Sequence, residues 1–139
     1  MSNVKSAIVE HLAADAGVSA LVSSRIYNGV ADPDAAYPYL LIETTSREQV
    51  EHQGGRSASR ITTVGIECVA TDSASADAIA DAVETAMVLR ETTIGTTTDV
   101  MTTNSQTVGR TDVLLNPQDG SHKFLAMVRL GFDIWHPNP

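Results

Sequence analysis

His11, His52, His122 and His136 are the histidines of this chain, and metal coordination is the chemistry they would support if carboxylates or thiols stood beside them at ligand spacing. They are scattered instead, so no metal site is expected. Asp32 and Asp34 flank Pro33, and such a pair could divide general-acid and general-base roles. In an Asp-Pro-Asp turn, though, the same side chains cap local backbone donors, and the turn is the favoured interpretation. Cys68 sits in an apolar-rich stretch with no basic neighbour or helix start to lower its pKa, so it reads as a small buried hydrophobe. Ser23, Ser24 and the many threonines lack the strand-turn-helix elbow that activates a hydroxyl. Gly54-Gly55 is not followed by the Lys-Ser or Lys-Thr step of a phosphate cradle. No catalytic residue, metal ligand or cofactor is therefore assigned.

What remains is charge. Arg47, Arg56 and Arg60 place three of the nine basic residues around one segment, together with Glu48, Gln49, Glu51, His52 and Gln53. A second segment is acidic, with Asp72, Asp77, Asp81, Glu84 and Glu91. For a lone domain this is a solvated surface. For a self-associating ring, a basic hairpin on one subunit can meet the acidic face Asp77, Asp81 and Glu84 on the next, head to tail.

Composition bounds the rest. At 139 residues the chain has the size of one domain, 1–139, with no room for two. Aromatic residues make up 4%, so Ala, Val, Ile and Leu must fill most of the core. The net charge of −8 opposes attraction to phosphate backbones, so no nucleic-acid partner is expected. No apolar run approaches the roughly 20 residues of a membrane span, so no membrane partner is expected either. One cysteine and no charged-then-apolar leader suggest a reducing cytosol.

The elements that must position these residues follow from periodicity. Ser2 or Asn3 can cap a helix with Val4, Ile8 and Leu12 inward, ending near Gly17. Val18 to Ser23 gives one more helical turn, and Arg25 to Val30 is a short strand. Tyr39 to Arg47 is a strand with Leu40 and Ile42 on one face. Glu48 to Ser59 lacks periodic apolar positions and reads as a long exposed hairpin loop. Arg60 to Ala70 alternates, with Thr62, Val64, Ile66, Cys68 and Ala70 on the expected core face. Asp72 or Ser73 caps an amphipathic helix carrying Ala76, Ile79, Ala80, Val83, Ala86, Met87 and Arg90 at helical spacing. Glu91 to Thr107 is Thr-rich and fits a strand, a loop or both. Val108 to Leu115, a turn at Asn116 to Gly120, and His122 to Trp135 form a terminal hairpin with Phe124, Ala126, Val128, Leu130, Phe132 and Ile134 aligned. The fold class expected is α+β: a two-layer sandwich of a four- to five-stranded, mainly antiparallel sheet with two helices on one face.

One local pattern is more specific. Arg25-Ile-Tyr-Asn-Gly29, a loop around Pro33, and the Tyr37-Pro-Tyr39 step that opens a strand follow an N-terminal helix. Over roughly Val4 to Val88 the chain resembles the tail completion proteins of long-tailed bacteriophages. The resemblance implies a noncatalytic virion protein of the tail or neck, assembled in the bacterial host cytoplasm, that caps the tail tube as a hexameric ring and joins it to the head. It also implies three partners, namely copies of itself, a tail tube protein and a head connector protein, and gives Glu48 to Ser59 the role of contact element. The alternative is a small ligand-binding or regulatory α+β module without catalysis, which would keep a concave apolar pocket and a two-fold contact.

Overall fold

The computed structural model describes residues 4–29, 36–52, 55–95, 101–115 and 125–137. The expected helix cap at residues 2 and 3, the turns around residues 33 and 118, and the segment 122–124 lie outside them. Helix α1 spans Val4–Ala14 and buries Val4, Ala7, Ile8 and Leu12. It stops three residues short of Gly17 because Asp15 takes an extended backbone (φ −77°, ψ 122°) and its side chain accepts from Val18 N–H at 3.0 Å, starting helix α2, Ala16–Val22. An aspartate that caps a new helix ends the old one more firmly than a glycine merely tolerates its continuation.

The chain then turns at Ser23, whose φ of 56° is left-handed, into strand β1, Ile26–Asn28. Two long strands follow, β2 (Tyr39–His52) and β3 (Gly55–Ala70), then helix α3 (Ser73–Ala86), short β4 (Thr92–Ile94), β5 (Met101–Leu115) and β6 (Leu125–Pro137). The six strands lie in the order β1-β2-β3-β6-β5-β4. All neighbours are antiparallel except β1 and β2, which run parallel with Ile26 opposite Leu40 and Asn28 opposite Ile42.

The protein is therefore α+β, as expected, but the described residues form three helices and a mixed sheet of six strands, where two helices and four to five mainly antiparallel strands were expected. Strand β1 falls within the short strand expected at Arg25 to Val30, whereas the added strand β4 is three residues long, too short for an alternation to register. The larger correction concerns Glu48 to Ser59. Instead of a long loop it is a ladder: β2 runs to His52, β3 begins at Gly55, and Glu48 pairs with Ile61, Gln49 with Arg60, Glu51 with Arg56 and His52 with Gly55. A ribbon with polar residues at nearly every position carries no apolar period, so its strand character rests on backbone pairing alone.

One apolar face runs across the sheet. Leu40, Ile42, Val64, Ile66, Cys68, Ala70, Val128, Leu130, Phe132 and Ile134 alternate along their strands and are all buried in one cluster with the inward residues of the helices. From α3 the cluster takes Ala76, Ile79, Ala80 and Val83. Asp72 caps that helix, accepting from Ser75 N–H at 2.7 Å, and this bond holds its carboxyl below the ordinary aspartate range. The helix ends at Ala86 rather than continuing to Arg90. Met87 and Leu89 are buried all the same, which is why the helical spacing seemed to run on.

Their position is fixed by side chains from elsewhere in the chain. Ser105 Oγ donates to the Met87 carbonyl and accepts from Leu89 N–H at 3.0 Å, while His11 Nε2–H donates to the Ala86 carbonyl at 2.7 Å. These bonds satisfy carbonyl and amide groups that a helix end otherwise leaves open.

Phe132 is fully buried at the middle of β6, between the two long antiparallel neighbours β3 and β5. Phe132→Ala should lower stability by about 3–5 kcal/mol through lost transfer energy and the cavity left behind. A urea midpoint unchanged from the parent chain would contradict this placement of the core.

Candidate functional site

The residues of the Arg25 and Tyr37 segments, distant in sequence, meet at the β1 edge. Arg25 Nε donates to the Pro38 carbonyl at 2.7 Å, and Leu40 N–H donates to the Arg25 carbonyl at 2.9 Å. Gly29 ends β1 at φ +92°, a conformation open to glycine, and its N–H reaches the Ile42 carbonyl at 2.8 Å. The three tyrosines of the chain gather there: Tyr27 meets Tyr39 edge-on at 5.7 Å between centroids, and Tyr37 stacks on Tyr39 at 5.6 Å. Burial, and then the neighbouring phenol of Tyr37, push the Tyr39 pKa up. The arrangement locks a parallel strand pair and brings no nucleophile and base together, so these residues organise the fold.

The basic segment lies on the ribbon. Arg47, Glu48, Gln49, Glu51 and His52 are on β2 and Arg56 and Arg60 on β3, while Gln53 lies outside the described residues. The β3–β6 ladder ends at Ser59 opposite Pro137, whereas β2 and β3 remain paired out to His52 and Gly55. The ribbon therefore extends as a two-stranded arm past the β3–β6 ladder.

The acidic segment is already engaged within the chain. Asp77, Asp81 and Glu84 lie along one side of α3, and Arg110 from β5 reaches all three, at 3.3 Å, 2.8 Å and 3.1 Å. These bonds raise the Arg110 pKa, the hydrogen bond to Asp81 first among the causes. Three carboxylates against one guanidinium leave two negative charges over.

Asp72 is occupied as the α3 cap. Glu91 sits at φ 49° beyond the helix, its N–H donating to Asn104 Oδ1 at 3.0 Å. Arg110 was missed in the sequence. Carboxylates at i, i+4 and i+7 do call for a cation, but the partner comes from a strand whose register the Thr-rich stretch before it concealed.

The remaining chemistry-bearing residues stay apart. His136 is buried with Nε2 at 2.7 Å from Thr62 Oγ1, His11 serves the α3 terminus, and His122, Asp32 and Asp34 lie outside the described residues. Among the described residues no group of three His, Cys, Asp or Glu side chains is disposed to hold a metal ion, and no helix is long and apolar enough to cross a membrane. Burial pushes the Cys68 thiol up to about 12, leaving it neutral and unreactive. On the sheet face opposite the core, Arg129 pairs with Glu67 at 2.9 Å and Thr63 Oγ1 donates to Asp133 Oδ1 at 2.6 Å. Gly65, Gly131 and Gly109 stand side by side in register there, flooring a shallow groove of about 220 Å³ beside exposed Val108.

Arg110→Ala should lower the melting temperature by a few degrees, because solvent-exposed ion pairs contribute about 1 kcal/mol or less even when several share one cation. The difference should shrink in about 1 M salt, where the screening length falls to about 3 Å. An effect independent of salt would mean that the guanidinium acts through packing.

The family model described as "Tail completion protein gp17" matches residues 6–128, which run from within α1 into the first part of β6. No curated protein matches the chain in sequence. Among solved structures, a chain from the virion of a native gene transfer agent particle superposes with a TM-score of 0.74 at 16% identity, covering 97% of this chain and 95% of that one. At that identity the likeness speaks to the fold alone. The match over residues 6–128 speaks to descent, and the chain belongs to the tail completion protein gp17 family.

Proposed function

We propose that this chain is a structural protein of a phage or prophage virion, which caps the tail tube and joins it to the head connector as a ring of identical copies. Its partners are its own copies, the tail tube protein and the head connector protein. Its location is the tail or neck of the virion, assembled in the bacterial host cytoplasm. The role needs no cofactor and no bond making or breaking. The family match over residues 6–128 carries the proposal. The likeness to a virion chain over nearly the whole length of both proteins supports it.

The surface is suited to such a role. The arm carrying Arg47, Glu48, Gln49, Glu51, His52, Arg56 and Arg60 is the contact element, and the two uncompensated negative charges beside Asp77, Asp81 and Glu84 are what it meets on the next copy. Complementary charge sets orientation and encounter rate more than affinity. The affinity must come from area, since specific interfaces bury on the order of 1,200–2,000 Å². A head-to-tail contact between unlike surfaces closes into a ring when its rotation is a simple fraction of a turn.

Electron microscopy of particles made without this chain tests the role. Overlong tubes are the outcome for a cap, and tubes of normal length lacking heads for a joining protein; intact, infectious particles would overturn both. Reversing Arg56 and Arg60 together to Glu should cut the amount of the chain in purified particles several-fold. Unchanged incorporation would remove the arm from the contact.

A further inference from the structure

Among the described residues, two long backbone edges of the sheet are unpaired. On β5, strand β4 covers Met101 to Thr103 and Leu89 accepts from Ser105 N–H, but among the described residues nothing pairs with the outer edge from Gln106 to Leu115. Gln106 to Asp112 are all exposed, with Arg110 alone of them reaching the carboxylates of α3. On β2, strand β1 covers Leu40 to Ile42, and among the described strands none pairs with the outer edge from Glu43 to His52. The open stretches are ten residues each and lie on opposite sides of the four long strands. An exposed edge of this length is a template for another strand.

We infer that the β5 edge of one copy receives the β2 edge of a second copy, antiparallel, so that successive sheets join into one continuous wall. The contact rests on the ring proposed above and specifies how its copies meet. Three features favour a second copy as the occupant. Each copy carries one edge of each kind, so a single head-to-tail contact, repeated, covers both. Strands β2, β3, β6 and β5 alternate in direction, so a copy related by rotation about the strand direction brings β2 beside β5 antiparallel, the stronger pairing.

The third feature is the stagger. Glu43, Gly65, Gly131 and Gly109 share one row across a single sheet. Because β1 and β4 block opposite ends of the edges, the second copy must slide until its Glu43 lies near Leu115, six residues beyond Gly109. Six residues are about 20 Å of strand, and four strands are about 19 Å of width, so the wall slants by about 45°. Closed barrels tilt their strands by about 35–45°. The stagger the edge strands impose is thus the stagger that closes a sheet on itself. The same contact brings the second copy's ribbon next to Arg110 and the acidic side of α3, where the two surplus negative charges lie.

Cysteine crosslinking in purified particles tests the contact. Asp112→Cys is combined in turn with Thr45→Cys, Ser46→Cys and Arg47→Cys, which covers a slip of one residue either way. Within one copy these edges are three strand spacings apart, about 14 Å, and a disulfide needs Cα atoms within about 7 Å, so any bridge joins two copies. The expected result is a ladder of multimers on a non-reducing gel at one of the three pairings, with no product above dimer from single-cysteine controls. Variant chains present in particles without a ladder at any pairing would overturn the edge contact and leave the ring standing. A parent chain absent from particles would overturn both.

Where paired cysteines keep the chain out of particles, Thr111→Pro and Asp112→Pro decide. One of two adjacent N–H groups faces outward, and proline there leaves the fold intact. That folded variant should be lost from particles at least tenfold; parental incorporation would refute the contact.

Discussion

The apolar face that β3 and β6 carry through the middle of the sheet is the constraint around which the rest of the molecule is arranged. Their alternation puts Val64, Ile66 and Cys68 beside Phe132, Leu130 and Val128 respectively, all shielded from water. A sheet with one such face needs a cover, and α1, α2 and α3 supply it with small side chains, chiefly Ala, Val and Ile. Few aromatics are available, so the helices must approach closely, and their ends must be fixed accurately. The bonds from His11 to Ala86 and from Ser105 to Met87 and Leu89 do this at the end of α3.

The cover stops short of the sheet's margins. From Gln106 to Asp112, β5 lacks the buried alternation seen in β3 and β6, and the far end of the β2–β3 ribbon outruns β6. The central strands answer to the core, whereas β2 and β5 run on well past their short neighbours β1 and β4. Strand length with an unpaired edge is a template for a contact outside the chain. In the proposed ring, the surplus length of β2 and of β5 serves the same contact from opposite sides.

Legibility in the sequence followed the same division. Wherever burial imposed a period it could be read: the core faces of β3 and β6 and the inward residues of α1 and α3 came from spacing and residue type, and the α3 cap was narrowed to Asp72 or Ser73. The ribbon from Glu48 to Ser59 could not be read, because polar residues on both sides of a strand leave no period and Gly54-Gly55 looks like a loop. The acidic face of α3 was visible as a charge pattern, yet its cation was not, since Arg110 arrives through a strand register that Thr-rich sequence does not encode locally. The Arg25 and Tyr37 segments carried a family likeness before any geometry was known. Their geometry explains that likeness as a way of tying β1 parallel to β2.

Open edges create a solubility problem, and the chain carries devices against indiscriminate pairing. Register breaks interrupt β5 between Thr107 and Gly109, and β2 between Thr44 and Ser46 and again between Gln49 and Glu51. Such bulges twist an edge away from flat partners. Arg110 and Asp112 put charge on the β5 edge, and the net charge of −8 keeps free copies apart. Arg110 has a further effect: held by three carboxylates of α3, it anchors an otherwise exposed strand to the body, so the edge stays in one position. A partner must then match its bulge, its stagger and its charge at once. Loose, nonspecific strand pairing meets all three only by chance, whereas a second copy with the complementary edge meets them by construction. Selectivity of this kind comes from features that oppose the wrong partner as much as from those that favour the right one.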